Sequence, residues 1–322
     1  MSMPQLLTVR VARIVHEAED IASFELVPPQ GDALPGFDAG AHIDVHIQPG
    51  LVRQYSLYNR PGETHRYRIA VLRDPASRGG SVAMHERVAE GDLIQIGAPR
   101  NLFPMAPGRR HLLLAGGIGI TPLLAMAETL ATRGADFELH YCARSAARTA
   151  FRPYLQACAY ADRVQFHLDD GAPSQKLDLA TLAGSPETDT HIHVCGPNGF
   201  IDHVLATFRA HAWPETQLHI ERFAAAPAAA DAIDGAFEVE LARSGRRLHI
   251  PAGTSVAQVL HAHGVDLPVS CEQGVCGTCL TRVLDGIPDH RDLYLTPDEQ
   301  AANNQFTPCC SRALSARLVL DL

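Results

Sequence analysis

The stretch CEQGVCGTC places the thiols of Cys271, Cys276 and Cys279 with four and then two residues between them. Thiolates are soft ligands that select iron-sulfur clusters or zinc. C-x4-C-x2-C followed by a distant fourth cysteine is the spacing of a plant-type 2Fe-2S cluster, in which four thiolates hold two irons. Zinc sites favour two C-x2-C pairs, and only one such pair is present here. Gly274 and Gly277 let the loop fold closely and direct backbone N–H groups at the sulfurs. The fourth ligand is Cys309 or Cys310 in TPCCSRA. Adjacent residues on an extended chain point opposite ways, so one of the two faces the cluster, and spacing does not choose between them.

Three other stretches carry residue types suited to phosphate-bearing cofactors. In RGGS, Arg78, Gly79, Gly80 and Ser81 offer a guanidinium, two glycines and a hydroxyl at the expected start of a helix, a combination suited to a phosphate. RQYSLYN lies at a strand end, where Arg53, Tyr55 and Leu57 share one face and Ser56 takes the other. HLLLAGGIGITPLLAM reads as a buried strand, a turn through Gly116, Gly117 and Gly119, and a helix with Thr121 as N-cap and Pro122 at its first position. Such a helix N-terminus favours a pyrophosphate. The stretch departs from G-x-G-x-x-G, because Pro122 stands at the last position.

Other candidates read as packing. Cys142 and Cys195 sit in apolar strand segments, and Cys158 in an expected helix. The 17 histidines include HIH at 191–193 and HAH at 261–263. A spacing of two on a helix does not place both on one face and no H-E-x-x-H occurs, so these are expected to be solvated or packed.

The elements that must position these residues fall into a multidomain order. Short alternating runs from LLTVRVARIV to DLIQI, with turns between them, predict an antiparallel β-barrel or sandwich over 1–106. From HLLLAG onward, strands alternate with helix-length intervals, the pattern of an α/β parallel-sheet domain over 107–226. The small, Pro-containing run within 224–235 reads as a linker, set at 227–236. A hairpin, a short helix and the cysteine segment complete 237–322. No internal repeat is evident.

The bulk numbers agree with a globular protein: 322 residues, 46% hydrophobic and 20% charged. A formal net charge of −9 argues against nucleic acid or an anionic membrane surface as partner. No run approaches the ~18–20 apolar residues of a spanning helix, and the first residues lack the basic-then-apolar order of a signal peptide. A cytoplasmic monomer is expected, in a compartment where clustered thiols bind metal instead of pairing.

The segments CEQGVCGTC, DHRDLYLTPDE and CCSRALSARLVLDL resemble the C-terminal ferredoxin domain of the phthalate dioxygenase reductase family, reductases of Rieske oxygenases. The resemblance implies a β-grasp ferredoxin domain. It also places the fourth ligand three residues before the Arg of SRA, at Cys309, and leaves Cys310 as a small core residue. R-x-Y-S and G-G-S are similar to segments of the ferredoxin reductase-like flavin barrel. By that likeness Arg53, Arg78, Gly79, Gly80 and Ser81 take the flavin phosphate, and Tyr55 and Ser56 line the ring. Ile69, Ala70 and Val71 then border it by their backbone, and Phe223 in HIERF packs near it. GGIGITP with CGP at 195–197 resembles the paired signature of the pyridine-nucleotide domain. That implies Gly116, Gly117, Gly119, Cys195, Gly196 and Pro197 around the nucleotide, Cys195 near the nicotinamide and Thr121 close to both cofactors. FMN and NADH are the cofactors the family implies. Arg144 offers a place for a 2′-phosphate, but Asp169 and Asp170 add negative charge in the same region, which favours NADH.

A hydride carries two electrons and a 2Fe-2S cluster accepts one at a time, so a flavin is the necessary intermediary. The order of flavin barrel, nucleotide domain and ferredoxin implies an NADH-oxidising reductase that passes single electrons to a terminal Rieske-type oxygenase or demethylase. Ser56, Thr121 and Cys195 would stand where the hydride moves. Two rival readings are a reductase with another acceptor and a redox-sensing iron-sulfur flavoprotein.

Overall fold

A computed structural model describes residues 6–74, 79–223 and 235–322. The chain packs as two compact units, one running to Arg222 and the other from Phe223 to Leu322. The expected linker lies mostly outside the described residues.

The first unit opens with β1 (Leu7–Ala18), β2 (Ile21–Val27), β3 (Ala41–Gln48), β4 (Leu51–Ser56), β5 (Tyr67–Leu72), α1 (Gly80–Arg87), β6 (Leu93–Ile96) and β7 (Arg100–Asn101). The strands pair antiparallel in the order β4-β3-β6-β1-β2-β5, with β7 on β3. A bridge between Leu57 and Ile69 joins the two ends of that order and closes the barrel. Two-residue alternation explains the filling: Ile43, Val45, Phe24, Leu26 and Ile96 point inward to one core.

There follow β8 (Arg110–Gly116), α2 (Ile120–Thr132), β9 (Asp136–Ala143), α3 (Arg152–Ala157), β10 (Val164–Leu168), α4 (Leu179–Ala183), β11 (Thr190–Cys195), α5 (Asn198–Ala210) and β12 (Leu218–Glu221). The five strands are all parallel, in the order β10-β9-β8-β11-β12. Helix α5 covers one face with Ile201, Val204 and Phe208 against Leu112, Leu114, Ile192 and Val194. On the other side α2 is apolar nearly all round and buried, as such a helix must be. Its core also takes in Ala18, Ile21, Ala39, Ala70 and Phe103 from the barrel, so the expected division at 106/107 runs through one packed body.

Two local expectations are corrected. A 3-10 turn, Gly117–Gly119, runs directly into α2, so Gly119 is the N-cap and Thr121 lies within the first turn. Thr121 instead donates its hydroxyl back to the Ile118 carbonyl at 3.1 Å. Cys158 lies just past α3, in extended conformation, and not inside a helix.

The second unit holds β13 (Phe237–Leu241), β14 (Arg246–Ile250), α6 (Val256–Ala262), β15 (Thr281–Asp285), β16 (Pro288–Asp289), α7 (Pro297–Ala301), β17 (Gln305–Phe306), β18 (Arg312–Ala313) and β19 (Arg317–Leu320). The mixed sheet β14-β13-β19-β15-β17 has β13 and β19 parallel at its middle, and its core includes Val256, Val259 and Leu260 of α6. This is the β-grasp arrangement. Ser255 starts α6 with a capping box to Gln258. The buried Arg312 guanidinium donates to the carbonyls of Thr254, Gly235 and Pro251, tying the chain just after the cysteine pair to the loops around β14 and α6.

Candidate functional site

The barrel brings RQYS and GGS together. The Arg53 side chain lies so close over Gly80 that a β-carbon there would meet its Cγ at 2.5 Å and its Nε at 2.7 Å. Gly79, the N-cap of α1, has φ 82°, a left-handed conformation that glycine adopts without strain. Ser81 Oγ accepts from the Asp74 N–H at 3.1 Å. Arg78 lies outside the described residues. Tyr55 is largely enclosed, and burial pushes its phenol well up, only partly countered by Arg53. Ile69, Ala70 and Val71 are buried on β5, paired with Phe24, Ser23 and Ala22 of β2. A guanidinium beside a glycine turn at a helix start fits a phosphate group.

The two stretches of the nucleotide signature touch each other. A β-carbon on Gly119 would overlap the Cys195 carbonyl, and one on Gly196 would lie 2.9 Å from the Gly116 Cα. These glycines therefore let the turn after β8 lie against the turn after β11, and Gly116 in turn packs against Pro197 and Phe200. Gly117, by contrast, faces open space. Thr121 is buried. At neighbouring strand ends the Asp170 N–H donates to the Arg144 carbonyl at 3.2 Å, so two carboxylates follow the strand next to Arg144.

Sequence reasoning missed Glu221. It ends β12 directly opposite Cys195, which ends β11; Cys195 is buried, and Glu221 is half-buried with its Oε2 out of solvent. Burial pushes the Glu221 carboxyl up to about 8, while a hydrogen bond from the Ser56 hydroxyl acts in the opposite direction. Burial also pushes the Cys195 thiol far up, and the nearby Glu221 adds to the effect. Glu221 Oε2 has no hydrogen-bond partner. Ser56, Cys195 and Glu221 thus meet where a barrel strand and two parallel strands all end, the carboxyl edge at which open α/β sheets take ligands. The available signal was an acidic residue closing the short strand run LHIE, two residues after His219 on the same face. Phe223, expected beside the flavin, opens the second unit and is exposed.

In the second unit, Cys271, Cys276 and Cys279 are buried and Cys309 and Cys310 half-buried. The Cys271 sulfur meets those of Cys276 and Cys309, whose hydrogen bonds pull its thiol far below the ordinary range. Cys309 also meets Cys279 and Cys310. Cys310 turns to Thr307 Oγ1 at 3.2 Å and Ser311 Oγ at 3.8 Å, so it belongs to a polar network instead of being a small core residue. The loop N–H groups aimed at sulfur are those of Gln273, at 3.3 Å from Cys271, and Thr278, at 3.4 Å from Cys276, with Val275 also directed at Cys271. Gly274 and Gly277 contribute room instead: a β-carbon on Gly274 would meet Cys310 Sγ at 2.5 Å, and one on Gly277 would overlap the Tyr294 ring. Among the described residues no three His, Cys, Asp or Glu side chains close around a single metal ion. The fold supplies a chain of sulfur pairs instead of a one-ion cage. Four soft donors, with N–H groups on two of the sulfurs, fit a 2Fe-2S group.

Residues 239–314 match the model of the 2Fe-2S iron-sulfur cluster binding domain. Over 318 residues the chain is 57% identical to vanillate O-demethylase oxidoreductase from a Pseudomonas species, covering 98% of this chain and 100% of the relative. It is 40% identical to phthalate dioxygenase reductase from Burkholderia cepacia over 327 residues, covering 100% of both. The solved structure of phthalate dioxygenase reductase, described as modular for electron transfer from pyridine nucleotides to 2Fe-2S, superposes with a TM-score of 0.80 at 40% identity over 98% of each chain. The chain belongs to the phthalate dioxygenase reductase family. Like other members of that family it is an oxidoreductase, the reductase component of an oxygenase or demethylase system, taking electrons from NADH through FMN and a 2Fe-2S cluster. An oxygenase is therefore its partner. No helix among the described residues is long and apolar enough to cross a membrane.

Proposed function

We propose that this reductase serves a Rieske-type aromatic O-demethylase, and that hydride enters at the meeting point of Ser56, Cys195 and Glu221. The convergence of these three strand ends, with Glu221 opposite Cys195 and bonded to Ser56, is the observation that carries the second part. The 57% identity to a vanillate O-demethylase oxidoreductase supports the first. Arg53, Gly79, Gly80 and Ser81, with Arg78, hold the flavin phosphate, while Tyr55 and the backbone of Ile69, Ala70 and Val71 border the ring. Gly116, Gly117, Gly119, Gly196 and Pro197 shape the nucleotide cleft, and Thr121 stiffens its turn. When bound, the flavin takes the electron pair that arrives as hydride and gives it up one electron at a time.

Around that chemistry the chain's own groups have separate tasks. The Ser56 hydroxyl, fixed by Glu221, orients the acceptor ring by a hydrogen bond. Cys195, kept as a neutral thiol, would offer the nicotinamide an uncharged surface. The closed glycine contacts exclude water from the transfer path. Cys271, Cys276, Cys279 and Cys309 hold the cluster. The first unit divides in function near residue 106, and the protein acts as a cytoplasmic monomer whose net charge of −9 suits a protein partner better than nucleic acid.

Stopped-flow reduction of the flavin by NADH tests the hydride site. Ser56→Ala should slow it on the order of tenfold or more, by loss of one oriented hydrogen bond to the reacting group. An unchanged rate removes Ser56 from the site. Turnover against a panel of purified oxygenases tests the partner, with the methoxyaromatic demethylase expected to give the highest rate.

A further inference from the structure

We infer that His111, His191, His193 and His219 form a strip along the parallel sheet that carries the proton released in turnover from Glu221 toward solvent. Oxidation of NADH by one-electron acceptors is NADH → NAD⁺ + H⁺ + 2 e⁻, so each cycle must discharge one proton from an enclosed site. The inference rests on the hydride site proposed above and adds the route away from it.

The geometry is set by strand alternation, in which every second side chain shares a face. Residues 191, 193 and 195 of β11 lie on one face, and 219 and 221 of β12 lie on the same face, with His193 opposite His219 and Cys195 opposite Glu221. His111 of β8 stands opposite His191. The rings of His193 and His219 stack at 4.8 Å, and those of His111 and His193 at 5.6 Å. His191 Nδ1 and His219 Nε2 are 2.9 Å apart, a hydrogen bond. His111 Nε2 reaches the Gly108 carbonyl at 3.2 Å. One strand repeat, about 7 Å, separates Glu221 from His219, a step that a single bridging water covers.

Unpaired atoms lie at Glu221 and at two histidines of the strip. Glu221 Oε2, both nitrogens of His193 and His111 Nδ1 are buried without hydrogen-bond partners. Buried polar atoms are almost always paired, so several orphans facing one another along a single sheet face call for a role. His191 and His219 are only half-buried and give the strip its outer end.

The groups facing the strip are Ser56 and Cys195 at Glu221, Phe103 against His193, and Asp189 and Arg133 near His111. Burial depresses His111, His193 and His219, so each holds an extra proton only in passing and hands it on toward solvent. The same burial keeps Glu221 protonated at rest, so it relays by passing its own proton to the strip as it takes up the one released at the site.

The test uses the flavin- and cluster-loaded protein in weak buffer with a pH-indicator dye, a single charge of NADH and excess cytochrome c. The variants are His219→Gln and the His191→Gln, His219→Gln pair, at half-buried positions that tolerate the change. Proton release should slow at least tenfold, flavin reduction by NADH should keep its rate, and added imidazole should restore release. The infrared band of the protonated Glu221 carboxyl, identified by its loss in Glu221→Gln, should shift in His219→Gln. Unchanged release, or slowing that imidazole leaves untouched and that the hydride step shares, overturns the strip. If Ser56→Ala leaves flavin reduction intact, the hydride site itself has failed; if it slows reduction while release in the histidine variants is normal, only the strip has.

Discussion

Cys195 and Glu221 face each other from adjoining parallel strands, the thiol buried and the half-buried glutamate turning its Oε2 out of solvent, with the Ser56 hydroxyl bonded to the carboxyl. A thiol and an acid kept neutral by burial give this edge of the sheet a place for an uncharged ring, and a proton held within reach. The arrangement also makes the fold sensitive to pH in a defined direction.

Glu221 has its folded pKa raised from an ordinary 4.5 to about 8. Between those values the folded chain keeps a proton that the unfolded chain has lost, so this group's contribution to stability falls as pH rises from 4.5 to 8 and is flat above. The loss is at most about 5 kcal/mol. Urea unfolding at pH 5 and at pH 8.5 should show the wild type losing stability relative to Glu221→Gln. Parallel curves would place the carboxyl in water.

Gly119→Ala puts a methyl group into the Cys195 carbonyl. Overpacking against backbone costs about 1–3 kcal/mol. The first unit should unfold at lower denaturant, and affinity for NADH should fall with it, as measured by fluorescence titration. Gly117→Ala meets no atom and tests φ alone, since Gly117 has φ 54°; its stability loss should be smaller, about 1 kcal/mol.

Of the adjacent pair, Cys309 meets Cys271 and Cys279, whereas Cys310 turns to Thr307 and Ser311. Cys309→Ser should abolish the visible absorption of the cluster and leave flavin bound, whereas Cys310→Ser should retain iron at the wild-type ratio. The reverse result would exchange their roles.

Arg312 donates to three carbonyls and lies 5.2 Å over the Phe237 ring. Arg312→Met leaves those carbonyls unsatisfied in the interior and should cost about 3 kcal/mol or more. Iron content after mild urea treatment is the readout, since the residue follows Cys309 and Cys310 so closely in the chain.

The barrel, the parallel sheet and the cysteine unit were legible because hydrophobic period and turn residues are local properties of the chain. The thiol spacing was legible for the same reason. Thr121 was misplaced as a cap because a 3-10 turn uses the same glycines as a helix entrance, and only the register of Gly117–Gly119 distinguishes the two. Glu221 and the histidine strip were hidden because each depends on strands far apart in sequence: HIH reads as scattered on a helix, yet on β11 both rings face one side, against His111 and His219. The donors to Cys271 and Cys276 were misassigned to glycines because loop N–H directions follow from φ and ψ, which spacing does not give.

The conversion of paired electrons into single ones is tested most directly by an anaerobic titration of the loaded protein with NADH, following flavin absorption and the electron paramagnetic resonance of the cluster together. Flavin bleaching and a reduced-cluster signal should rise from the same additions of NADH, and in Cys309→Ser the flavin should still bleach while the cluster signal is missing. Bleaching of flavin with an intact cluster that never becomes reduced would contradict the transfer.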